Sequence, residues 1–312
     1  MIRHSLWLVV LFWGAAGWFS NQATAVGQDL LVANNTASHH ESVLRFSAQG
    51  ECLGNFALTS FRSGPVGLAF DPQGTLYVAN HGNNSIHRYS NTGADLGGFA
   101  SAGLNIPTGI AFDNQGRLVV CNYGDGSLSI YSPTGALLKH VVTGLRNPIA
   151  LALDRNNNIF VSTPNIGANS GVFRFSPDGS QRTLFAAGID FDPRGLAFDQ
   201  AGNLYVANQH GNTVQRFSSD GISLGTFAST GLRDPFALAF DASGDLYISN
   251  QSGGNIRRYS ACGDDLGDFA VVSTPLANPV GLVFFPVPEP IPLSILLLGA
   301  GVIRSISHRR CK

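Results

Sequence analysis

Few side chains in this chain could move a proton or hold a metal, and they are scattered. His39, His40 and Glu41 adjoin one another, while His81 and His210 stand far from them and from each other. Adjacent histidines on one loop rarely converge on an ion about 2 Å from each nitrogen, so no metal site is expected. The cysteines show no CxxC spacing and no Cys/His cluster of the zinc type. No Ser/His/Asp or Cys/His motif stands out, although a triad assembled from distant segments has no linear signature. What does recur is the amide group. Asn34, Asn80, Asn122, Asn208 and Asn250 occupy one repeated position, with Thr163 at the sixth. Amides make hydrogen bonds, not covalent bonds, so the chemistry to expect is recognition. No catalytic residue and no resident cofactor are assigned.

The elements that position these residues form an internal repeat. Gly67-Leu68-Ala69-Phe70-Asp71 recurs at Gly109 to Asp113, Ala150 to Asp154, Gly195 to Asp199 and Ala237 to Asp241. A last copy, Gly281 to Phe285, carries Phe285 in the aspartate position. The aspartates are 41 to 45 residues apart. Each precedes a Gly- or Asn-rich turn, where its carboxylate accepts backbone hydrogen bonds from two residues on, a scaffold role. A strand such as Leu76 to Asn80 follows, then one resembling Ile86 to Ser90, then one through Leu96 to Phe99. Four strands of about five residues and four turns fill such a unit, with no 3.6-residue period anywhere in it. The arginines Arg45, Arg88, Arg174, Arg216 and Arg258 also recur, and are expected to pack their stems on neighbouring strands and to pair with turn acids.

A four-stranded unit repeated in this way is an all-β, six-bladed β-propeller. The second strand occurs six times from Leu30 onward, so the ring begins one strand late. The extra strand at 280–285 completes the first blade and removes two free sheet edges. Cys52 and Cys262 lie near equivalent turns of the first and last blades, where a disulfide would pin the closure, although they are offset by about three residues in the repeat. Cys121 lies inside a strand pattern and is read as a small buried apolar residue. The loops between second and third strands, and those between blades, share the face that surrounds the channel mouth. The candidate binding residues there are Asn34, His39, Asn80, His81, Asn122, Tyr123, Asn165, Asn208, His210 and Asn250. The asparagines also have a plain scaffold reading, because Asn tolerates left-handed turns. His81 and His210 fall on opposite sides of such a ring, about 20 Å apart, and cannot share an ion.

The two ends read differently from the repeat. Residues 1–25 carry Arg3 and His4, an apolar core from Leu6 to Phe19, and Ala23-Thr24-Ala25. That is the pattern of a secretory signal peptide cleaved after Ala25, with an A-x-A site at Ala23 and Ala25. All three tryptophans lie within it. The propeller is expected over 26–286. At the other end, Pro288-Glu289-Pro290 precedes an apolar stretch at 291–303 and a basic tail at 304–312 with Arg304, His308, Arg309, Arg310 and Lys312. The apolar stretch covers roughly 20 Å as a helix, short of a hydrocarbon core of about 30 Å. It suits a transmembrane helix that holds the tail transiently, with its positive end in the cytoplasm. Formal net charge is −1 with 12% charged residues, which leaves no basic stripe for nucleic acid.

The ordered Pro-Glu-Pro, apolar and basic elements at 287–312 resemble the PEP-CTERM sorting signal of bacteria. That resemblance implies an exosortase-type protease as a partner, and a place in the cell envelope or extracellular matrix, membrane-anchored at least transiently. The repeats from Asp29 to Phe285 resemble the NHL family and the SMP-30/gluconolactonase-like propellers, with Asn where that family's second strand ends in Asp. Two functions follow. The first is a non-enzymatic module that binds extracellular polysaccharide or a surface protein. The alternative is a metal-dependent lactonase or hydrolase, whose divalent cation is held in that class by Glu, Asn and Asp at the channel mouth. Here the asparagines are present, but before the tail Glu41 and Glu51 are the only glutamates. A lyase with a site in the irregular fourth blade, 156–169, is a third reading.

Overall fold

Every second strand is apolar along its whole length, and this fixes where it lies. In the computed structural model, which describes residues 28–35, 41–59, 63–164, 170–186, 192–270, 276 and 278–286, all six of these strands are buried at each position. Only a strand packed on both faces tolerates such a run. The described residues form 24 strands in six four-stranded antiparallel sheets. Blade 1 holds β1 (Leu30–Asn34), β2 (Ser42–Phe46) and β3 (Cys52–Leu58), and blade 2 holds β4 (Pro65–Phe70), β5 (Leu76–Asn80), β6 (Ser85–Tyr89) and β7 (Asp95–Ala100). Blade 3 is β8 (Pro107–Phe112), β9 (Leu118–Asn122), β10 (Ser127–Tyr131) and β11 (Leu137–Val142), and blade 4 is β12 (Leu151–Leu153), β13 (Ile159–Thr163), β14 (Gly171–Phe175) and β15 (Arg182–Ala186). Blade 5 is β16 (Pro193–Phe198), β17 (Leu204–Asn208), β18 (Thr213–Phe217) and β19 (Ser223–Ala228); blade 6 is β20 (Pro235–Phe240), β21 (Leu246–Asn250), β22 (Asn255–Tyr259) and β23 (Asp265–Ala270).

The last strand, β24 (Pro279–Phe284), joins blade 1 as its innermost member, giving the order β24-β1-β2-β3. Leu30 pairs with Phe284 and Ala33 with Gly281, so the ring closes as the repeat count requires. Phe285 fills the place of the missing aspartate by ring packing, edge to face with Phe56 at 5.4 Å and tilted against Phe70 at 5.1 Å, with Arg45 4.7 Å above its ring. In the other blades the repeated aspartates tie their turns as expected. Asp71 Oδ1, for example, accepts the amides of Gln73 and Thr75 at 3.0 and 2.8 Å.

Six apolar clusters fill the interfaces between successive blades, built from second strands and the flanking aromatics. Tyr205 shows the pattern, meeting Phe227 and Phe240 edge to face at 4.8 and 4.9 Å. The inner strands crowd the axis. At Gly67 an added Cβ would lie 2.1 Å from the Thr108 carbonyl oxygen, so a side chain there would force neighbouring inner strands apart.

The outer strands are twisted away from flatness. In β3, β7, β11, β19 and β23 one extra leucine interrupts the register with the third strand: Leu53, Leu96, Leu138, Leu224 and Leu266. These bulged leucines are about half exposed. Of the repeated arginines, Arg45 and Arg258 pair with Asp29 and Asp245 at 2.7 Å. Arg88 and Arg216 instead lie over Phe99 and Phe227.

The expected Cys52–Cys262 disulfide is absent, because Cys52 is an exposed free thiol. The turn that precedes Cys52 packs on the Phe269 carbonyl, late in β23, whereas Cys262 precedes that strand's start. From Asp265 to Phe269 alone the strand rises on the order of 13 Å, beyond the roughly 7 Å that a disulfide spans. Cys121 is buried, as expected, and burial pushes its thiol well above the usual range. The signal-peptide and sorting-signal positions, including Ala23, Ala25, Pro288, Glu289 and Pro290, lie outside the described residues. Among the described residues no helix is long and apolar enough to cross a membrane.

Candidate functional site

The repeated asparagines end the second strands on the channel-mouth face, yet they do not face a ligand. Asn34, Asn80, Asn122, Asn208 and Asn250 are buried, and Asn122 is fully so. The amides of Asn34, Asn122, Asn208 and Asn250 clamp the loop that leads into their own blade, whereas Asn80 Nδ2 donates to Ser85 Oγ at 3.5 Å. Asn122 Oδ1 accepts the Asn105 amide at 3.1 Å, and its Nδ2 donates to the Gly103 carbonyl, Ser127 Oγ and Ser129 Oγ at 3.2, 3.0 and 2.9 Å. Asn250 does the same to Arg233 N–H and Gly231 O, at 3.1 and 3.0 Å. Asn208 and Asn34 accept from Asp192 and Asn278. The candidacy of Asn122 and Asn250 as binding residues is therefore corrected, since their buried amides are engaged at both oxygen and nitrogen. Asn34 and Asn208 are buried with their oxygens engaged, while Asn80 Oδ1 is buried without a partner among the described residues. The left-handed turn conformation belongs to other asparagines, Asn84, Asn147, Asn157 and Asn212.

Of the remaining candidates, His81, Tyr123 and His210 sit on the mouth-face loops, with His210 exposed and the other two half-buried. His81 Nδ1 lies 2.9 Å from the Gly64 carbonyl. That carbonyl also accepts the His81 amide at 3.0 Å. Glu41 is engaged beside it, accepting Gly64 N–H at 2.6 Å and the Ser63 hydroxyl at 3.3 Å. His39 and Asn165 lie outside the described residues.

Side chains that sequence reasoning passed over form the mouth itself. Five inner strands begin with proline, at Pro65, Pro107, Pro193, Pro235 and Pro279, and Pro148 holds the same place ahead of β12. The next residues ring the axis: Val66, Thr108, Ile149, Arg194, Phe236 and Val280. Val66, Ile149, Phe236 and Val280 line a narrow channel cavity of about 90 Å³ together with Gly67, Gly109, Gly195 and Gly281. Thr108 turns its hydroxyl to the Pro148 carbonyl at 3.1 Å. Arg194 is the ring's one charged member. Its Nη2 donates to Asp192 at 3.2 Å, and its Cζ lies 5.9 Å from the Phe236 ring. Its Nε is buried without a hydrogen-bond partner among the described residues.

Above this ring, blades 5 and 6 carry a continuous polar sector. Gln209 Nε2 donates to Gln251 Oε1 at 2.9 Å across the blade boundary. The Gln209 and Gln251 amides bond the carbonyls of Asp192 and Asp234, each at 3.0 Å. The Ser252 hydroxyl donates to the Asp234 carboxylate. The signal for this sector was present in the chain, as a single Arg in a position otherwise held by Val, Thr, Ile and Phe. It becomes visible only when the repeats are aligned on their prolines.

Two chemistries can be weighed against this geometry. A Ser–His–Asp grouping does occur within blade 3: Ser129 Oγ is 2.9 Å from His140 Nδ1, and His140 Nε2 is 3.7 Å from Asp125 Oδ2. Ser129 is fully buried and donates to the Gly103 carbonyl at 2.7 Å, so its oxygen is closed to a substrate. A divalent cation of the lactonase kind needs several oxygen ligands directed at one point. The mouth ring presents a guanidinium, the Thr108 hydroxyl turned to the Pro148 carbonyl, and apolar groups instead, Glu41 is engaged by Gly64, and the described residues do not fit such an ion. Among the described residues, no three or more His, Cys, Asp or Glu side chains are grouped to hold a metal.

The NHL repeat model matches residues 63–89, which span blade 2 from its leading loop through β6. No curated protein matches the sequence. Among solved structures, the chain is similar to one from a nidogen/laminin complex, at 21% identity over 83% of this chain and 99% of that one, with a TM-score of 0.71. It is similar to virginiamycin B lyase from Staphylococcus aureus at 16% identity, over 82% and 91% of the two chains, with a TM-score of 0.61. A gluconolactonase from Xanthomonas campestris is similar at 24% identity, over 67% and 77%, with a TM-score of 0.57. These likenesses establish the fold, a six-bladed propeller that carries an NHL repeat match in blade 2, and nothing about its ligand.

Proposed function

We propose that this propeller is an exported, surface- or matrix-associated, non-enzymatic binding module for a glycan or a protein, with a metal-dependent lactonase or hydrolase as the alternative. The observation that carries the reading is the polar sector of blades 5 and 6 beside a mouth ring otherwise uncharged and mostly apolar. Planar amide, carboxylate and guanidinium groups next to an aromatic ring satisfy hydroxyl pairs and pack on a sugar face, and such a mix of few polar groups on apolar ground marks a recognition site. A similar propeller was solved in a nidogen/laminin complex, and a propeller that engages a protein partner is in keeping with this role. The N-terminal leader would export the chain. The tail at 287–312 would hold it at the membrane until an exosortase-type protease acts.

The test is a glycan array and an envelope pull-down with the purified full chain, repeated with Gln209→Ala/Gln251→Ala and with Asn114→Ala on the opposite face. Binding that falls at least tenfold in the mouth variant and persists in the other supports the module. Equal binding by both variants removes the mouth from the account. Turnover of a lactone, abolished by chelation and restored by a divalent ion, would replace this reading with the metal-dependent hydrolase.

A further inference from the structure

We propose that the mouth is selective for a carboxylate-bearing ligand, with Arg194 as its anchor; the proposal rests on the binding-module reading and names its ligand class as an acidic sugar. Arg194 is the one charge at a ring position otherwise held by Val, Thr, Ile and Phe, and a largely buried cation beside Phe236 is costly unless it is paired. Asp192 supplies that pairing in part, through one contact at 3.2 Å to Nη2. Nε stays buried and unpartnered among the described residues. A guanidinium is a planar fork that matches a carboxylate with two parallel bonds, and with Nε buried and Nη2 giving one bond to Asp192, the Nη1/Nη2 edge is the side left to meet a ligand. Its neighbour Phe236 gives the sugar ring a face to pack on.

The surroundings decide the depth and orientation of the ligand. The cavity below the ring is only about 90 Å³, too small for a sugar ring to descend into, so a sugar must be read at the rim. There Gln209, Gln251 and the Asp192 carboxylate are within the same sector and suit hydroxyl groups. The Asp192 charge faces the same guanidinium and competes with an incoming anion. Removing that charge while keeping the side chain's shape should therefore tighten acid binding, which no purely structural ion pair would do.

The experiment compares a galacturonate trisaccharide with its neutral methyl ester by calorimetry on the full chain. The acid should bind at least tenfold more tightly than the ester. Arg194→Gln should erase that preference, Arg194→Lys should keep part of it through charge without the fork, and Asp192→Asn should increase acid affinity. Melting curves on each variant confirm that the fold persists, and Asp192→Asn keeps the test decisive if Arg194→Gln fails to fold. Equal binding of acid and ester, or a preference untouched by Arg194→Gln, overturns the carboxylate proposal while leaving the binding module standing. Absence of acid binding overturns it as well. Failure of every glycan and every envelope protein to bind is the separate outcome that removes the module itself.

Discussion

At the scale of single residues, the amide clamp is the device on which the mouth depends. Asn122→Ala would leave the Asn105 amide without its side-chain partner and strip Gly103 O, Ser127 and Ser129 of the Asn122 amide donor in a buried setting. The expected loss is about 2–3 kcal/mol, read from urea unfolding, whereas exposed Asn83→Ala should stay within about 0.5 kcal/mol. The recurrence of these asparagines was legible in the chain, but their task was not. Periodicity gives position along a strand and says nothing of which loop folds back over its end. Arg194 was hidden for the opposite reason, being a departure that occurs once. Burial also sets an alkaline limit. It pushes Tyr89, Tyr131 and Tyr259 up to about 12, against an ordinary value near 10. Above pH 10 the unfolded chain releases these protons while the folded one still holds them, so stability is complete below pH 10 and declines between 10 and 12. Thermal melts across that window should show a falling Tm, with a shallower fall in Tyr131→Phe, which also loses the bond to the Ala102 carbonyl at 2.6 Å.

At the scale of elements, inner and outer strands solve opposite problems. Burial on both faces explains why second strands were readable as uninterrupted apolar runs. The bulges of the outer strands were not readable, because a Leu-Gly step looks like ordinary strand until its register with the third strand is known. Yet the bulges matter more for solution behaviour. An outer strand has one unpaired edge, and a bulge that raises local twist keeps that edge from accepting another chain. Gly97, with φ of 83°, makes the bulge at Leu96 in β7. Gly97→Val should cost about 1–3 kcal/mol in strain at positive φ. If the bulge flattens, light scattering should show association at concentrations where the parent chain stays monodisperse. An equally monodisperse variant would mean that the edge is protected by something other than its twist.

At the scale of the molecule, closure by β24 makes the ring one cooperative unit, and counting second strands was enough to foresee it. A chain ending at Asn278 lacks the partner of β1 and the Phe284 and Phe285 contacts. It should fail to show a cooperative melt, while a chain ending at Pro286 should melt as the full chain does. Comparable melts would show that five complete blades suffice. The closure also brings the two ends together. Leu30 opens β1 opposite Phe284, which ends β24, and the Phe285 amide bonds the Asp29 carbonyl at 3.0 Å. Both ends therefore leave from the face opposite the mouth. Under load this matters in a way that equilibrium stability does not show. Tension applied between the two ends opens the β1–β24 ladder one hydrogen bond at a time, like a zipper, instead of shearing all of its bonds at once. A propeller held by one end and pulled through a guest at its mouth feels no such peeling between its termini. The same fold is thus mechanically weak as a link in a chain and sturdy as a terminal hook.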